Sequence, residues 1–193
     1  MLRFEKVSFA YGKKAVLNDF SFTLENGELL ALMGASGSGK TTILHLAAGL
    51  LAPTAGKIES SFLPPAVVFQ EPRLFSHLTV RENLAAVQEA PDESAIEKAL
   101  SLVGLSEWAD AYPSELSGGM QSRVSLARAL LFPTDFYLLD EPFAALDEAT
   151  KLAVLKNLRE FLTEKGAAAI LVTHAKEDAE AFASRKVFLS SVD

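Results

Sequence analysis

The chain has 193 residues, a formal net charge of −7 and no cysteine. That length gives one domain with a sizeable core, and the missing cysteine excludes a disulfide framework and any thiolate metal site. An acidic balance without a basic block argues against a nucleic-acid surface. No apolar run reaches the ~18 residues of a membrane span and residues 1–6 hold no signal-peptide core, which together favour the cytoplasm.

Residues 2–8 predict a strand, with Leu2 and Phe4 alternating against Arg3 and Glu5. Tyr11-Gly12-Lys13-Lys14 reads as a turn. Phe20, Phe22 and Leu24, set against Ser21, Thr23 and Glu25, predict a second strand. Asn26-Gly27 has the form of a hairpin turn and leads into the apolar run 29–33. A helix follows to Gly49, then a short strand at 57–59 and a buried one at 66–69. Thr79-Val80-Arg81-Glu82 fits a capping box opening a helix. A second helix spans 92–103, with Trp108 and Tyr112 expected in the core beyond it. A helix after residue 116 runs to Pro133. The apolar strand 136–139 precedes a long helix to Lys165 with Leu152, Leu155 and Leu158 on its apolar face. A strand at 168–173, a short helix and a strand at 186–189 finish the chain. Strands alternating with helices predict an α/β fold with a largely parallel sheet, interrupted by a helix-only stretch.

Gly34-Ala35-Ser36-Gly37-Ser38-Gly39-Lys40-Thr41 spells G-x-x-x-x-G-K-T between an apolar strand and a helix. That is the context of a phosphate-binding loop. Its glycines can turn several N–H groups onto one anion, and the helix adds its free amides and positive dipole end. Lys40 can reach the β- and γ-phosphates, and the Thr41 hydroxyl can ligate Mg²⁺. Asp140, ending an apolar strand, can hold Mg²⁺ directly or through water, and Glu141 can accept a proton from an attacking water. Gln70 and His174 also follow apolar strands, and parallel sheets bind ligands beyond the carboxyl ends of their strands. Ser117-Gly118-Gly119 at a helix start fits a second anion site, and equally a plain N-cap and turn.

With Leu116-Ser117-Gly118-Gly119-Met120 included, the chain resembles the ATP-binding-cassette (ABC) family of ATPases from residue 2 to about 189, with all motifs in the family's order. The resemblance implies that residues 34–42, from Gly34 through Ala35, Ser36, Gly37, Ser38, Gly39, Lys40 and Thr41 to Thr42, form the Walker A loop. Gln70 is then the Q-loop glutamine, 116–120 the signature, and 136–141 the Walker B strand with catalytic Glu141. Ala145-Leu146-Asp147 becomes the D-loop and His174 the switch histidine. Tyr11 would stack on adenine with Val16 beside it, and Thr41, Gln70 and Asp140 would surround the metal. The implied cofactors are ATP and Mg²⁺, with Glu141, His174, Gln70 and Lys40 serving catalysis. Two cassettes would pair head to tail, Ser117, Gly118, Gly119 and Asp147 of one closing on the nucleotide of the other.

The fold so implied is an α/β P-loop NTPase core with a parallel sheet, an N-terminal antiparallel β subdomain and an inserted α-helical subdomain. Residues 1–78 and 133–193 would form the core and 79–132 the helical part of a single domain, 1–193. The implied function is an ATP-hydrolysing subunit, a homodimer at the cytoplasmic face of a membrane, energising small-solute transport through a separate permease docked beside Gln70 at Phe75, His77 and Leu78. An extracytoplasmic solute-binding protein would belong to an importer. Residues 69–74 and 141–147 look most like the nitrate/sulfonate/taurine-type importer group. Ala175 stands where the family often has aspartate, and Ser122 where it usually has glutamine; neither change removes a phosphate or metal contact. The alternative is a soluble non-transport ABC ATPase acting on nucleic acid or ribosomes, which would carry tandem cassettes, coiled-coil or zinc insertions.

Overall fold

The amphipathic opening of the chain makes a sheet of its own. In the computed structural model, which describes residues 1–189, β1 (Leu2–Tyr11) and β2 (Lys14–Leu24) pair antiparallel across a two-residue turn, with Leu2 opposite Leu24 and Phe4 opposite Phe22. The Phe4 and Phe22 rings lie 4.8 Å apart, the kind of cross-strand aromatic pair that stabilises a sheet face. The stretch around 57–59, expected as a short strand, is a full third strand, β3 (Ala55–Ser60), on the other edge of β1. Gly56 permits this: a Cβ there would run into the Lys6 carbonyl.

The Asn26-Gly27 turn is not a hairpin. It carries the chain from this sheet into a second one, where β4 (Leu29–Gly34) lies between two later strands. The remaining strands are β5 (Ala66–Val68), β6 (Phe136–Asp140), β7 (Ala168–Val172) and β8 (Arg185–Leu189). All pair parallel, in the order β5, β6, β7, β4, β8. Every residue of β6 and β7 is buried, as expected for strands covered on both faces. Alternate residues serve two cores. Leu30, Leu32, Leu138 and Ile170 face the antiparallel sheet and first helix, while Leu29, Leu139, Ala169 and Leu171 face the other helices.

The helices are α1 (Lys40–Ala47), α2 (Val80–Ala85), α3 (Glu93–Leu102), α4 (Gly118–Leu131), α5 (Glu148–Lys165) and α6 (Lys176–Phe182). Their starts follow local chemistry. Thr79 and Glu82 form the capping box of α2, while Asp92, Ser117 and Asp147 accept amides at the starts of α3, α4 and α5. Helices α2, α3 and α4 pack on one another, and α4 rests on β5.

Three expectations about packing fail. Trp108 and Tyr112 are 40% and 47% exposed, because they sit at short 3₁₀ turns whose inner side is filled by Leu105, Ala109 and Leu116. Leu152 is also exposed; the buried stripe of α5 is Val154, Leu155, Leu158 and Leu162, and Leu152 falls outside its phase.

Candidate functional site

Four neighbouring parallel strands deliver the predicted residues to one edge of the sheet: Gly34 ends β4, Gln70 follows β5, Glu141 follows β6 and His174 follows β7. There Gln70, Glu141 and His174, with the loop that starts at Gly34, line a cavity of about 570 Å³, a size that suits a small organic ligand. Ser36, Gly37, Gly39, Lys40, Thr41 and Thr42 form its floor, with Gln70, Glu141 and His174 on one side and Tyr11 and Val16 on the other. Lys14 and Ala15 line it too, and neither was singled out from the sequence. The signal was present: once β2 is known to start at Lys14, the period of two puts Lys14 and Val16 on one face. A larger depression, about 860 Å³ on the antiparallel sheet around Arg3, Lys6 and Arg185, contains none of the predicted residues.

The loop from Gly34 to Gly39 is held open by its glycines. Gly37 and Gly39 have φ of 81° and 95°, and a Cβ on Gly39 would press on Val16 Cγ1 at 3.0 Å. A Cβ on Gly34 would meet the Leu189 carbonyl at 2.5 Å and Ser38 Oγ at 2.8 Å. The Lys40 ammonium, nearly buried, donates to the carbonyls of Gly34 and Ala35 at 2.9 and 2.8 Å. Two of its three donors are thus engaged and one is left. Ser38 Oγ is buried without a hydrogen-bond partner. An orphaned hydroxyl and a spare ammonium donor in a loop of this shape fit an anion such as a phosphate.

Behind the loop, Asp140 is 5% exposed. Burial pushes its carboxyl pKa up, and the charge of Glu141 adds to this, while a hydrogen bond from Thr41 and the charges of His45 and Lys40 oppose it. Among the described residues no group of three or more His, Asp or Glu could hold a metal. Thr41 and Asp140, with Gln70 at the rim, supply too few oxygens to enclose Mg²⁺. They fit an ion whose other ligands are phosphate oxygens and water.

Glu141 adopts φ 47°, a left-handed conformation in which a residue with a Cβ carries some strain and which recurs at functional sites. Its amide is held by the Val172 carbonyl at 3.0 Å, and its Oε2 lies 3.3 Å from His174 Nδ1. Tyr11 stands at the rim, 52% exposed, its ring edge-on to Phe9 with centroids 4.9 Å apart.

Ser117, Gly118, Gly119 and Asp147 do not line this cavity. Ser117 Oγ accepts the Met120 amide at the start of α4. Gly119 packs so closely on the 145–146 segment that a Cβ would meet the Ala145 carbonyl at 2.6 Å. Asp147, capping α5, has its carboxyl held below the usual range by the backbone amide and hydroxyl of Thr150. All four residues thus lie outside the phosphate-loop cavity, with Gly119 packed on the segment that leads to Asp147.

The ABC transporter family profile matches residues 17–144. The chain is 37% identical to the thiamine import ATP-binding protein ThiQ of Vibrio cholerae serotype O1, covering 98% of this chain and 86% of that protein. It is 38% identical to the Fe(3+) ions import ATP-binding protein FbpC of Haemophilus influenzae, covering 96% of this chain but 58% of that longer protein. The fold superposes on the dimeric structure of MJ0796, a bacterial ABC transporter cassette, with a TM-score of 0.88 at 27% identity over 98% of this chain and 94% of that one. The same cassette has also been seen in a post-hydrolysis state bound to ADP and Pi. Motif order, site geometry and these likenesses agree, and the chain belongs to the ABC transporter family, as one of its ATP-binding cassettes.

Proposed function

We propose that the chain is the ATP-hydrolysing subunit of an importer, works as a head-to-tail homodimer, and sits peripherally on the cytoplasmic face of a membrane beneath a separate permease. One observation carries the reading: the phosphate-loop cavity is lined by none of Ser117, Gly118, Gly119 and Asp147 of the same chain. A nucleotide that needs those residues as well is enclosed only when a second copy supplies them. The dimer formed by MJ0796 supports this.

In this reading Tyr11 and Val16 hold the adenine, and the loop amides with Lys40, Ser38 and Thr42 hold the phosphates. Thr41 and Asp140, with Gln70, would hold Mg²⁺, which would supply charge neutralisation at the β- and γ-phosphates. Glu141 takes the proton of the attacking water, and His174 orients Glu141 and the water through its 3.3 Å contact. Ser117, Gly118, Gly119 and Asp147 of the partner copy complete the site.

The import reading draws on relatives named for thiamine, Fe(3+) and sulfate/thiosulfate. None is a nitrate, sulfonate or taurine importer, so that narrower grouping rests only on the residues at 69–74 and 141–147. The solute belongs to permease and solute-binding protein rather than to this subunit. No described helix is long and apolar enough to cross a membrane, in keeping with a separate permease. An apolar groove of about 400 Å³ beside Gln70, lined by Leu50, Phe69, Phe75 and Phe132, is the docking surface in this reading; His77 and Leu78 do not line it.

The test is reconstitution. Co-expression with membrane proteins encoded beside its gene should give proteoliposomes with ATP-dependent solute uptake that Lys40→Ala abolishes. Hydrolysis indifferent to every membrane subunit but stimulated by DNA or ribosomes would favour the non-transport alternative.

A further inference from the structure

The His174 side chain is 71% exposed, so no packing fixes it; its placement depends on the backbone on either side. That backbone is tied to an ion pair whose acid, Asp178, is buried and whose lysine, Lys151, is partly so. Thr173 Oγ1 accepts the Ala175 amide at 3.0 Å and donates to Asp178 Oδ2 at 3.4 Å, which clamps the residues before and after His174. The other oxygen of Asp178 meets Lys151 Nζ at 3.1 Å. Asp178 is 6% exposed on α6, and Lys151 lies one turn into α5, where its amide donates to the Asp147 carbonyl at 2.9 Å. Lys151 also meets the exposed Glu148 at 2.9 Å. A cavity of about 130 Å³, bounded by Glu141, Leu146, Lys151, His174 and Asp178, lies between the two segments. Both have room to shift should the pair part.

We propose that Lys151 and Asp178 are positioning residues that fix the His174 backbone against the Asp147 segment, so that His174 meets Glu141 only while the D-loop holds its place. The proposal rests on the reading of His174 as a participant in hydrolysis. A buried ion pair is a poor source of stability compared with apolar groups of the same volume, but it is directional. Here its direction runs from the helix that carries Asp147 to the loop that carries His174.

The test uses the full chain with Asp178→Asn, and the double variant Lys151→Met/Asp178→Leu, which replaces the pair by apolar groups and leaves no buried charge. Both are assayed for ATP hydrolysis and ATP affinity at a temperature below the melting point of each. Misplaced reacting groups slow chemistry, so kcat should fall about 10- to 100-fold with the ATP dissociation constant within about twofold. Lys151→Arg, which keeps the pair, should retain the wild-type kcat. The chain has three histidines. In labelled protein the imidazole resonance of His174, assigned by its loss in His174→Ala, should move in the Asp178→Asn and double variants while those of His45 and His77 stay. Wild-type kcat with an unmoved His174 resonance would overturn the proposal, and so would a loss confined to ATP affinity. His174→Ala, run alongside, separates the two levels. If it leaves hydrolysis unchanged, the underlying reading fails. If it abolishes hydrolysis while the pair variants do not, only the positioning role fails.

Discussion

His174 Nδ1 stands 3.3 Å from Glu141 Oε2, and the two residues follow neighbouring parallel strands, so the sheet brings them side by side while the backbone beyond β7 sets the final contact. In the proposed function Glu141 accepts the proton and His174 orients it, both acting on one water. His174→Ala should lower turnover by about 10²-fold or more, the usual size of a lost acid–base contribution, and leave ATP binding intact. Steady-state hydrolysis beside a nucleotide titration checks this; turnover within twofold of wild type contradicts it.

Lys40 holds its ammonium between two loop carbonyls with a donor to spare. Lys40→Ala removes a charge-assisted contact of about 1.5–3 kcal/mol, which is tenfold or more in affinity. Isothermal titration with Mg-ATP reads the loss directly.

Asp140 couples stability to function through pH. Burial raises its pKa in the folded chain above the carboxylate's ordinary 3.8. Between those two values the native state holds more protons than the unfolded one, so this group's contribution to stability is lost as pH rises through the folded pKa. Asp140→Asn should therefore raise the melting temperature of the nucleotide-free protein at neutral pH. The gain should fade as pH falls below the ordinary carboxylate value, while hydrolysis is lost at every pH. Melting curves across pH, with and without Mg-ATP, measure both effects.

Tyr11 offers a half-exposed ring at the cavity rim. Tyr11→Ala should weaken ATP by about 1–3 kcal/mol, the worth of a base on an aromatic platform. Inorganic triphosphate should be unaffected; an equal loss for both ligands would remove the adenine role.

The parts of the fold that were legible in the sequence are those with local causes. The apolar runs of β4, β6 and β7 read as buried strands because helices and the antiparallel sheet cover both faces, and the caps at Thr79 and Ser117 read from a few adjacent residues. Gly34, Gln70, Asp140, Glu141 and His174 could be grouped from the sequence because each lies at or just beyond the end of such a strand. What escaped depends on distant neighbours. The third antiparallel strand is exposed along most of its length, has Ile58 as its one large apolar residue, and takes its form from pairing with β1. Trp108 and Tyr112 look like core residues until Leu105, Ala109 and Leu116 are seen to fill that space first. The left-handed backbone of Glu141 and the Lys151–Asp178 pair have no local signature, since the first is imposed by the strand ends around it and the second joins two separate helices.

The central claim is that one nucleotide is closed between two copies of the chain, and the Glu141→Gln variant tests it most directly. That substitution keeps size and hydrogen bonding but removes the base and its negative charge, so ATP should bind and remain uncleaved. Sedimentation at high protein concentration should show a Glu141→Gln dimer with ATP but not with ADP, because only ATP presents a γ-phosphate to Ser117 and Gly119 of the other copy. Adding Ser117→Arg should abolish that dimer by filling the phosphate's place. A Glu141→Gln chain that stays monomeric with ATP bound, together with wild-type hydrolysis whose rate per molecule is independent of protein concentration, would contradict the account.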